Sequence, residues 1–181
     1  DSADAATRLK DYLLNLPDFL GQRYAGLSMD AFLHGCTGSE YLLPADQCDK
    51  AISEAEQVIG APVITAARAL VRWLRENQVQ TIAMATPYPD WLYDPACRFW
   101  TDAGFRVVGK EQIDIGGEDT YGIYNLQSAD GVALLDNLVA RGADAILVSG
   151  TGMPSLGLLA KARQQGHLIV SSNYALASAG L

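Results

Sequence analysis

The chain has 181 residues, 49% hydrophobic and 19% charged, with 21 acidic against 13 basic side chains and a net charge of −8. That length suits one compact domain, or two small lobes sharing one core. The apolar content excludes a disordered chain, and no apolar run reaches the roughly eighteen residues of a spanning helix. An acidic chain without any Lys/Arg cluster also excludes a nucleic-acid binder. The first residues, Asp1-Ser-Ala-Asp4, show neither the basic segment nor the apolar core of a secretory signal. Three cysteines (Cys36, Cys48 and Cys97) lack metal-type spacing, and with only two histidines no zinc site is expected. The expectation is a soluble protein of a reducing, cytoplasmic compartment.

Leu9, Leu13 and Leu16 at helical spacing predict a first helix over residues 3–16, ended by Leu-Pro-Asp at 16–18. Residues 29–34 read as a strand running into Gly35-Cys-Thr-Gly-Ser39. A helix over 46–59 follows, with Ile52, Ala55, Val58 and Ile59 on one face. Next come a short strand at 62–65, a helix over 66–76 and an apolar strand at 81–85. Thr86-Pro-Tyr-Pro-Asp90 then leads into a helix through residue 103. A strand at 105–108 precedes a variable loop rich in Gly, Asp and Glu at 114–120. The remainder reads as helix 128–141, strand 145–148, helix 155–165 and strand 167–170, before Ser171-Ser-Asn173. Such alternation implies parallel pairing with right-handed crossovers, hence an α/β fold with helices on both faces. Unbroken apolar strands such as Ala145-Ile-Leu-Val148 fit a sheet covered on both sides.

Open α/β sheets bind ligands beyond the carboxyl ends of their strands. This confines the search to residues 35–39, 86–88, 149–155 and 171–173. All are small, hydroxyl-bearing or rich in glycine, a composition that holds a small anion through backbone N–H groups and hydroxyls. Cys36 is the candidate for side-chain chemistry. A thiol among Gly35, Thr37, Gly38 and Ser39 at a strand end is expected to be partly exposed, surrounded by donors and lowered in pKa. It is therefore expected to be the most reactive of the three thiols. The competing reading is a small apolar residue filling a strand–helix junction. Tyr88, fixed between Pro87 and Pro89, is either a donor to the ligand or a packing aromatic. Gly150, Thr151 and Gly152 form a candidate backbone nest, opened by Ser149. His34 reads as a core or supporting residue. His167, Cys48, Cys97, Trp73, Trp91 and Trp100 read as structural. Glu40, Asp90, Asp114, Glu118 and Asp119 show no spacing that marks an acid/base pair. The chain lacks a phosphate loop, a Gly-x-Gly-x-x-Gly after its first strand, a strand-end lysine and a Gly-x-Ser-x-Gly elbow. What remains is cofactor-free chemistry by a thiol, hydroxyls and amides on a small carboxylate.

Five segments in register carry a resemblance: Asp30-Ala-Phe-Leu-His-Gly-Cys-Thr-Gly-Ser39, Pro62-Val-Ile-Thr-Ala66, Thr86-Pro-Tyr88, Ser149-Gly-Thr-Gly-Met-Pro-Ser155 and Val170-Ser-Ser-Asn173. Together they resemble the aspartate/glutamate racemase superfamily, and within it the branch of maleate cis–trans isomerases and arylmalonate decarboxylases. The resemblance runs over about residues 27–173. It implies two pseudo-symmetric parallel-sheet α/β lobes with the site between them. Residues 1–76, completed by about 170–181, would form the first lobe and residues 77–169 the second. It also implies no cofactor and no metal. The partner it implies is a small mono- or dicarboxylate, with neither nucleic acid nor membrane and with room for a homo-oligomer. The family's opening strand and its carboxylate-binding loop have no counterpart before Asp1, so that N-terminal strand is expected to be missing. The chain is likewise expected to stop short of the family's complete final helix.

Members with two thiols resemble one another in placing a cysteine on each face of the substrate. Here Cys36 matches the first-lobe cysteine, while the second-lobe position holds Gly150, or Thr151 if the alignment slips by one. Two-base racemisation needs two groups, whereas decarboxylation needs one proton donor. The resemblance thus implies a cofactor-free decarboxylase of a malonate-type dicarboxylate, aryl- or alkyl-substituted, in which Cys36 protonates an enediolate. Thr37, Gly38, Ser39, Tyr88, Ser149, Gly150, Thr151 and Gly152 would bind the substrate and its oxyanion. The alternatives are a maleate-type isomerase or racemase using Cys36 as nucleophile or base, and a carboxylate-binding module of the same fold. A thiol restored at residue 150 is expected to bring racemising activity, and one moved there from residue 36 to invert the product's configuration.

Overall fold

Two parallel sheets organise the computed structural model, which describes residues 2–180. The chain opens with helices α1 (Ser2–Leu14) and α2 (Leu16–Arg23). There follow β1 (Phe32–His34), α3 (Thr37–Leu42), α4 (Ala45–Ile59), β2 (Val63–Thr65) and α5 (Ala66–Glu76). Then come β3 (Thr81–Thr86), α6 (Asp90–Asp102), β4 (Arg106–Gln112) and a 3₁₀ turn at Thr120–Asn125. The last part holds α7 (Ser128–Val132), α8 (Leu135–Ala140), β5 (Ala145–Val148), α9 (Leu156–Gln164), β6 (Ile169–Ser171) and α10 (Ser172–Ala179). β1 pairs with β2, Leu33 opposite Ile64. The larger sheet has the order β4-β3-β5-β6, with Met84 opposite Leu147 and Leu147 opposite Val170. All pairs are parallel, as the strand–helix alternation predicts. Among the described residues no helix is long and apolar enough to cross a membrane.

β3 and β5 lie inside the larger sheet, and Ile82, Met84, Leu147 and Val148 are buried. Each such side chain contributes about 1.5–3 kcal/mol by leaving water. Trp100 of α6 is fully buried beside Phe99, Phe105 and Tyr41. A smaller cluster joins Leu13, Leu16 and Leu20 to Cys48, Ile52 and Ala55 of α4 and Val63 of β2. Val58, expected on the same apolar face of α4, is exposed.

Several predicted boundaries move for local reasons. Pro17 does not end the helical region. It sits in the first turn of α2, where its missing N–H costs nothing. β4 runs on past the expected residue 108 because Val108 is accommodated as a bulge, Ile82 pairing with Val107 and Ala83 with Gly109. Its polar second half, Gly109-Lys-Glu-Gln112, is tolerable on an edge strand. The single helix expected over 128–141 is broken between α7 and α8, at Ala133 and Leu134. Helix α3 begins inside the segment read as a turn, and α10 follows β6 directly, capped by Ser171 Oγ accepting from the Tyr174 amide. α10 packs against α5 and β2, so the end of the chain returns to the first sheet.

Candidate active site

A cleft of about 260 Å³ lies where the carboxyl ends of β1, β3 and β5 converge. Its polar side is built from the residues that follow those strands: Cys36, Thr37 and Gly38, then Tyr88, then Gly150, Thr151 and Gly152. The two loops touch directly, Thr151 Oγ1 donating to the Gly35 carbonyl at 2.6 Å. None of the described residues lining the cleft is a lysine or arginine.

Cys36 is the N-cap residue of α3, extended at φ −142° and ψ 108°, so its sulfur meets the free end of the helix. The Ser39 hydroxyl lies 3.2 Å from Sγ, and the nearby amides of Ser39 and Gly38 favour the thiolate. Sequence reasoning expects a lowered thiol pKa from this company. The structure corrects that expectation. Burial dominates and pushes the Cys36 thiol above its ordinary value, the Ser39 hydroxyl and the two amides offsetting only part of it. The Ser39 hydroxyl also donates to the Leu9 carbonyl at 2.6 Å, and its single proton serves one acceptor at a time. Cys48 is buried, its thiol raised by burial to about 11, and Cys97 is half-buried on α6.

A cluster of buried hydroxyls backs the polar side. Thr37 Oγ1 and Tyr88 OH are 2.5 Å apart, Tyr88 OH and Ser149 Oγ 3.0 Å, and Ser149 Oγ and Tyr41 OH 2.7 Å. Burial pushes the Tyr88 phenol up to about 12, so it is a donor at neutral pH. Ser39 and Ser149, expected at the ligand, are fully buried and stand one layer behind it. Gly150 donates its amide to Ser172 Oγ at 3.0 Å, which takes that N–H away from any ligand. Asn173 Nδ2 holds the Thr151 carbonyl at 2.9 Å. The Ser171-Ser-Asn173 segment therefore braces the 149–152 loop. Among the described residues the amides of Thr151 and Gly152, which line the cleft, find no backbone partner.

The opposite wall was not legible in the strand ends. It comes from Leu9 and Tyr12 of α1, Leu92 of α6, and Thr120, Tyr121, Ile123 and Tyr124 of the 3₁₀ turn. Arg8 ties these elements together: it donates to Asp119 Oδ1 at 2.6 Å and Thr120 Oγ1 at 3.2 Å, with its guanidinium 4.1 Å from the Tyr121 ring centroid. No periodicity announces a contact between residues so far apart in the chain. His34 also lines the cleft, buried and lowered in pKa by that burial. Glu40 does not line it. Its carboxylate accepts from Thr65 Oγ1 and, at 2.9 Å, from Arg68 Nε, anchoring α3 to β2 and α5. Among the described residues no group of His, Cys, Asp and Glu is placed to hold a metal ion.

Known proteins share this fold. Arylmalonate decarboxylase superposes with a TM-score of 0.74 at 19% identity, over 95% of this chain and 73% of its own. The maleate isomerase Iso of Pseudomonas putida S16 gives 0.79 at 17% identity, over 97% and 71%. A Nocardia farcinica maleate cis–trans isomerase variant with a covalently bound succinylcysteine intermediate gives 0.71 at 22%, over 81% and 62%. These likenesses establish the fold, which is the expected α/β architecture with parallel sheets. The search of curated proteins returns no match. The family model for arylmalonate decarboxylase matches residues 37–180, most of the chain, and the protein therefore belongs to the arylmalonate decarboxylase family.

Proposed function

We propose that the protein decarboxylates a malonate-type dicarboxylate, with Cys36 delivering the proton that replaces the departing carboxylate. One observation carries the reading: among the described residues the cleft holds a single thiol, as one proton donor requires, and burial shifts that thiol toward its protonated form. A protonated thiol is an acid. Addition to the double bond of maleate, or removal of a proton from a racemase substrate, requires the thiolate.

In this reading one carboxylate sits against Thr37, Tyr88 and the amides of Thr151 and Gly152. The other faces the apolar wall of Leu9, Leu92 and Ile123, where its charge is poorly solvated. The carbon–carbon bond breaks, carbon dioxide leaves, and the electron pair stays on the substrate as an enediolate. Hydroxyl and amide donors already in position stabilise that charge. Cys36 then gives its S–H proton to the carbon, and water returns a proton to the thiolate. The cleft volume of about 260 Å³ lies below the roughly 300–1,000 Å³ of drug-sized sites, which fits a small substituted malonate.

Phenylmalonate and maleate offered to one preparation test the proposal. Carbon dioxide from phenylmalonate, with no fumarate from maleate, is the expected result. Fumarate without carbon dioxide would move the protein to the isomerases, and saturable binding without turnover to the carboxylate-binding modules.

A further inference from the structure

We infer that Tyr41 is a positioning residue of this site, acting through Ser149 to orient the hydroxyl protons of Tyr88 and Thr37. Its kinetic test rests on the decarboxylase reading, and its spectroscopic test does not. Tyr41 lies on α3, four residues after Thr37, and does not line the cleft. Its ring packs against Phe99 at a centroid distance of 4.9 Å and against Trp100 at 6.1 Å. From there its hydroxyl lies 2.7 Å from Ser149 Oγ. Ser149 Oγ is 3.0 Å from Tyr88 OH, and Tyr88 OH is 2.5 Å from Thr37 Oγ1. The four hydroxyls thus form an open chain that runs from Tyr41 through Ser149 and Tyr88 to Thr37. All four residues are buried, and Ser149 is held from behind by its amide, which donates to the Ala85 carbonyl at 2.9 Å.

Either oxygen of each pair could donate, and burial sets the direction, because the reverse chain would leave the Tyr41 proton over in the core, away from the cleft. Four hydroxyls carry four protons, and the open chain has three bonds, so one proton is left over. When Tyr41 donates to Ser149, Ser149 to Tyr88 and Tyr88 to Thr37, three protons fill the three bonds. The fourth, on Thr37, then points into the cleft. Each accepted bond also makes the next hydroxyl a stronger donor in these dry surroundings. Only Thr37 and Tyr88 touch the cleft, so Tyr41 acts without meeting the substrate.

Tyr41→Phe keeps the ring and its packing and removes only the hydroxyl. With phenylmalonate, kcat should fall on the order of 10-fold at unchanged KM, less than the roughly 100- to 1,000-fold of a donor that touches the oxyanion. In a Ser149→Ala background the same substitution should change kcat by less than about twofold, because the connection is already cut. An equal loss in both backgrounds, or a loss confined to KM, overturns the inference. Proton NMR supplies the test that needs no turnover. The proton shared by Tyr88 and Thr37 should resonate far downfield and move upfield in Tyr41→Phe, and an unmoved resonance overturns the inference. Wild-type protein inactive on phenylmalonate, with the resonance moving as expected, would remove the decarboxylase reading and leave the proton chain standing.

Discussion

Cys36 and Gly150 hold equivalent places in the two halves of the molecule. Each is the second residue beyond a strand, Cys36 after β1 and Gly150 after β5, and each is followed by Thr-Gly. The halves differ in what that place admits. Cys36 has ordinary extended backbone, whereas Gly150 has φ 131°, and a Cβ built on it would stand 2.9 Å from Pro87 Cδ. The loop after β5 is thus shaped around the absence of a side chain, and the thiol that lines the cleft stands on the β1 side only.

The state of that thiol sets the pH dependence. Burial raises Cys36 above the ordinary thiol value of roughly 8.5. As an acid it is competent below its raised pKa, so kcat should stay level through neutral pH and fall as alkaline pH removes the proton. A rate rising with pH would mean that the thiolate is the working form, as an isomerase or racemase requires. Cys36→Ala should abolish turnover while phenylacetate binding, measured by calorimetry, persists on the hydroxyls and amides. Lost binding would place Cys36 among the holding groups instead.

Tyr88→Phe removes the phenol that bonds both Thr37 and Ser149. Turnover should fall by up to about 100- to 1,000-fold, because Thr37 loses the Tyr88 proton that holds its own proton toward the oxyanion. Stability should fall by about 1–3 kcal/mol, since Ser149 keeps its bond to Tyr41 while Thr37 loses the hydroxyl it is bonded to. Kinetics and chemical denaturation on the same sample separate the two. Normal turnover would return Tyr88 to a packing role.

Strand ends were the legible part of this protein, because two signals coincide there: an apolar run stops, and glycine and hydroxyl residues begin. That is why Cys36, Thr37, Gly38, Tyr88 and Gly150 to Gly152 could be named together and line one cleft. Ser39 and Ser149 stand behind the cleft lining rather than in it, Ser149 bonded to Tyr88 and Ser39 turned away by its helix. α3 turns its successive residues to different sides, so Thr37 meets the cleft and Ser39 meets the Leu9 carbonyl. Burial was illegible as well. Donors around Cys36 can be read in Gly-Cys-Thr-Gly-Ser, but the burial that outweighs them cannot, and the cleft's other wall comes from α1 and the 3₁₀ turn, elements joined by Arg8 only in three dimensions.

That junction is itself testable. Arg8 holds Asp119, Thr120 and the Tyr121 ring at the cleft's rim, and it holds the Asp119 carboxyl below its ordinary pKa. Because the folded value is depressed, the tie is complete at neutral pH and is released only as acid protonates Asp119. Arg8→Met should leave the melting temperature almost unchanged, since the pair is partly exposed. It should speed amide hydrogen exchange over residues 119–125 and raise KM more than it lowers kcat. Unaltered exchange in this segment would mean that its own 3₁₀ packing, not Arg8, keeps it in place.

The place of Gly150 decides how far the chemistry can be rearranged. From sequence, Gly150→Cys should add a second acid/base group and with it racemising activity. The structure changes that expectation, because a side chain at φ 131° costs on the order of 1–3 kcal/mol before any contact is considered. Contact adds to it, since the new Cβ would lie 2.9 Å from Pro87 Cδ and 3.0 Å from Pro87 Cγ, atoms of a rigid ring. Gly150→Cys and Gly150→Ala should therefore lose similar stability, and racemisation should appear only if the Pro87 segment yields. Pro87→Ala combined with Gly150→Cys removes the ring contact and leaves the φ cost, so it should regain part of the loss. In that background, adding Cys36→Gly transfers the cleft thiol from the β1 side to the β5 side. A prochiral disubstituted malonate should then give the opposite enantiomer, because the proton arrives at the other face of the enediolate. Chiral chromatography of the product reads this directly. An active variant that still makes the original enantiomer would show that the proton does not come from the thiol, and the role given to Cys36 would fall.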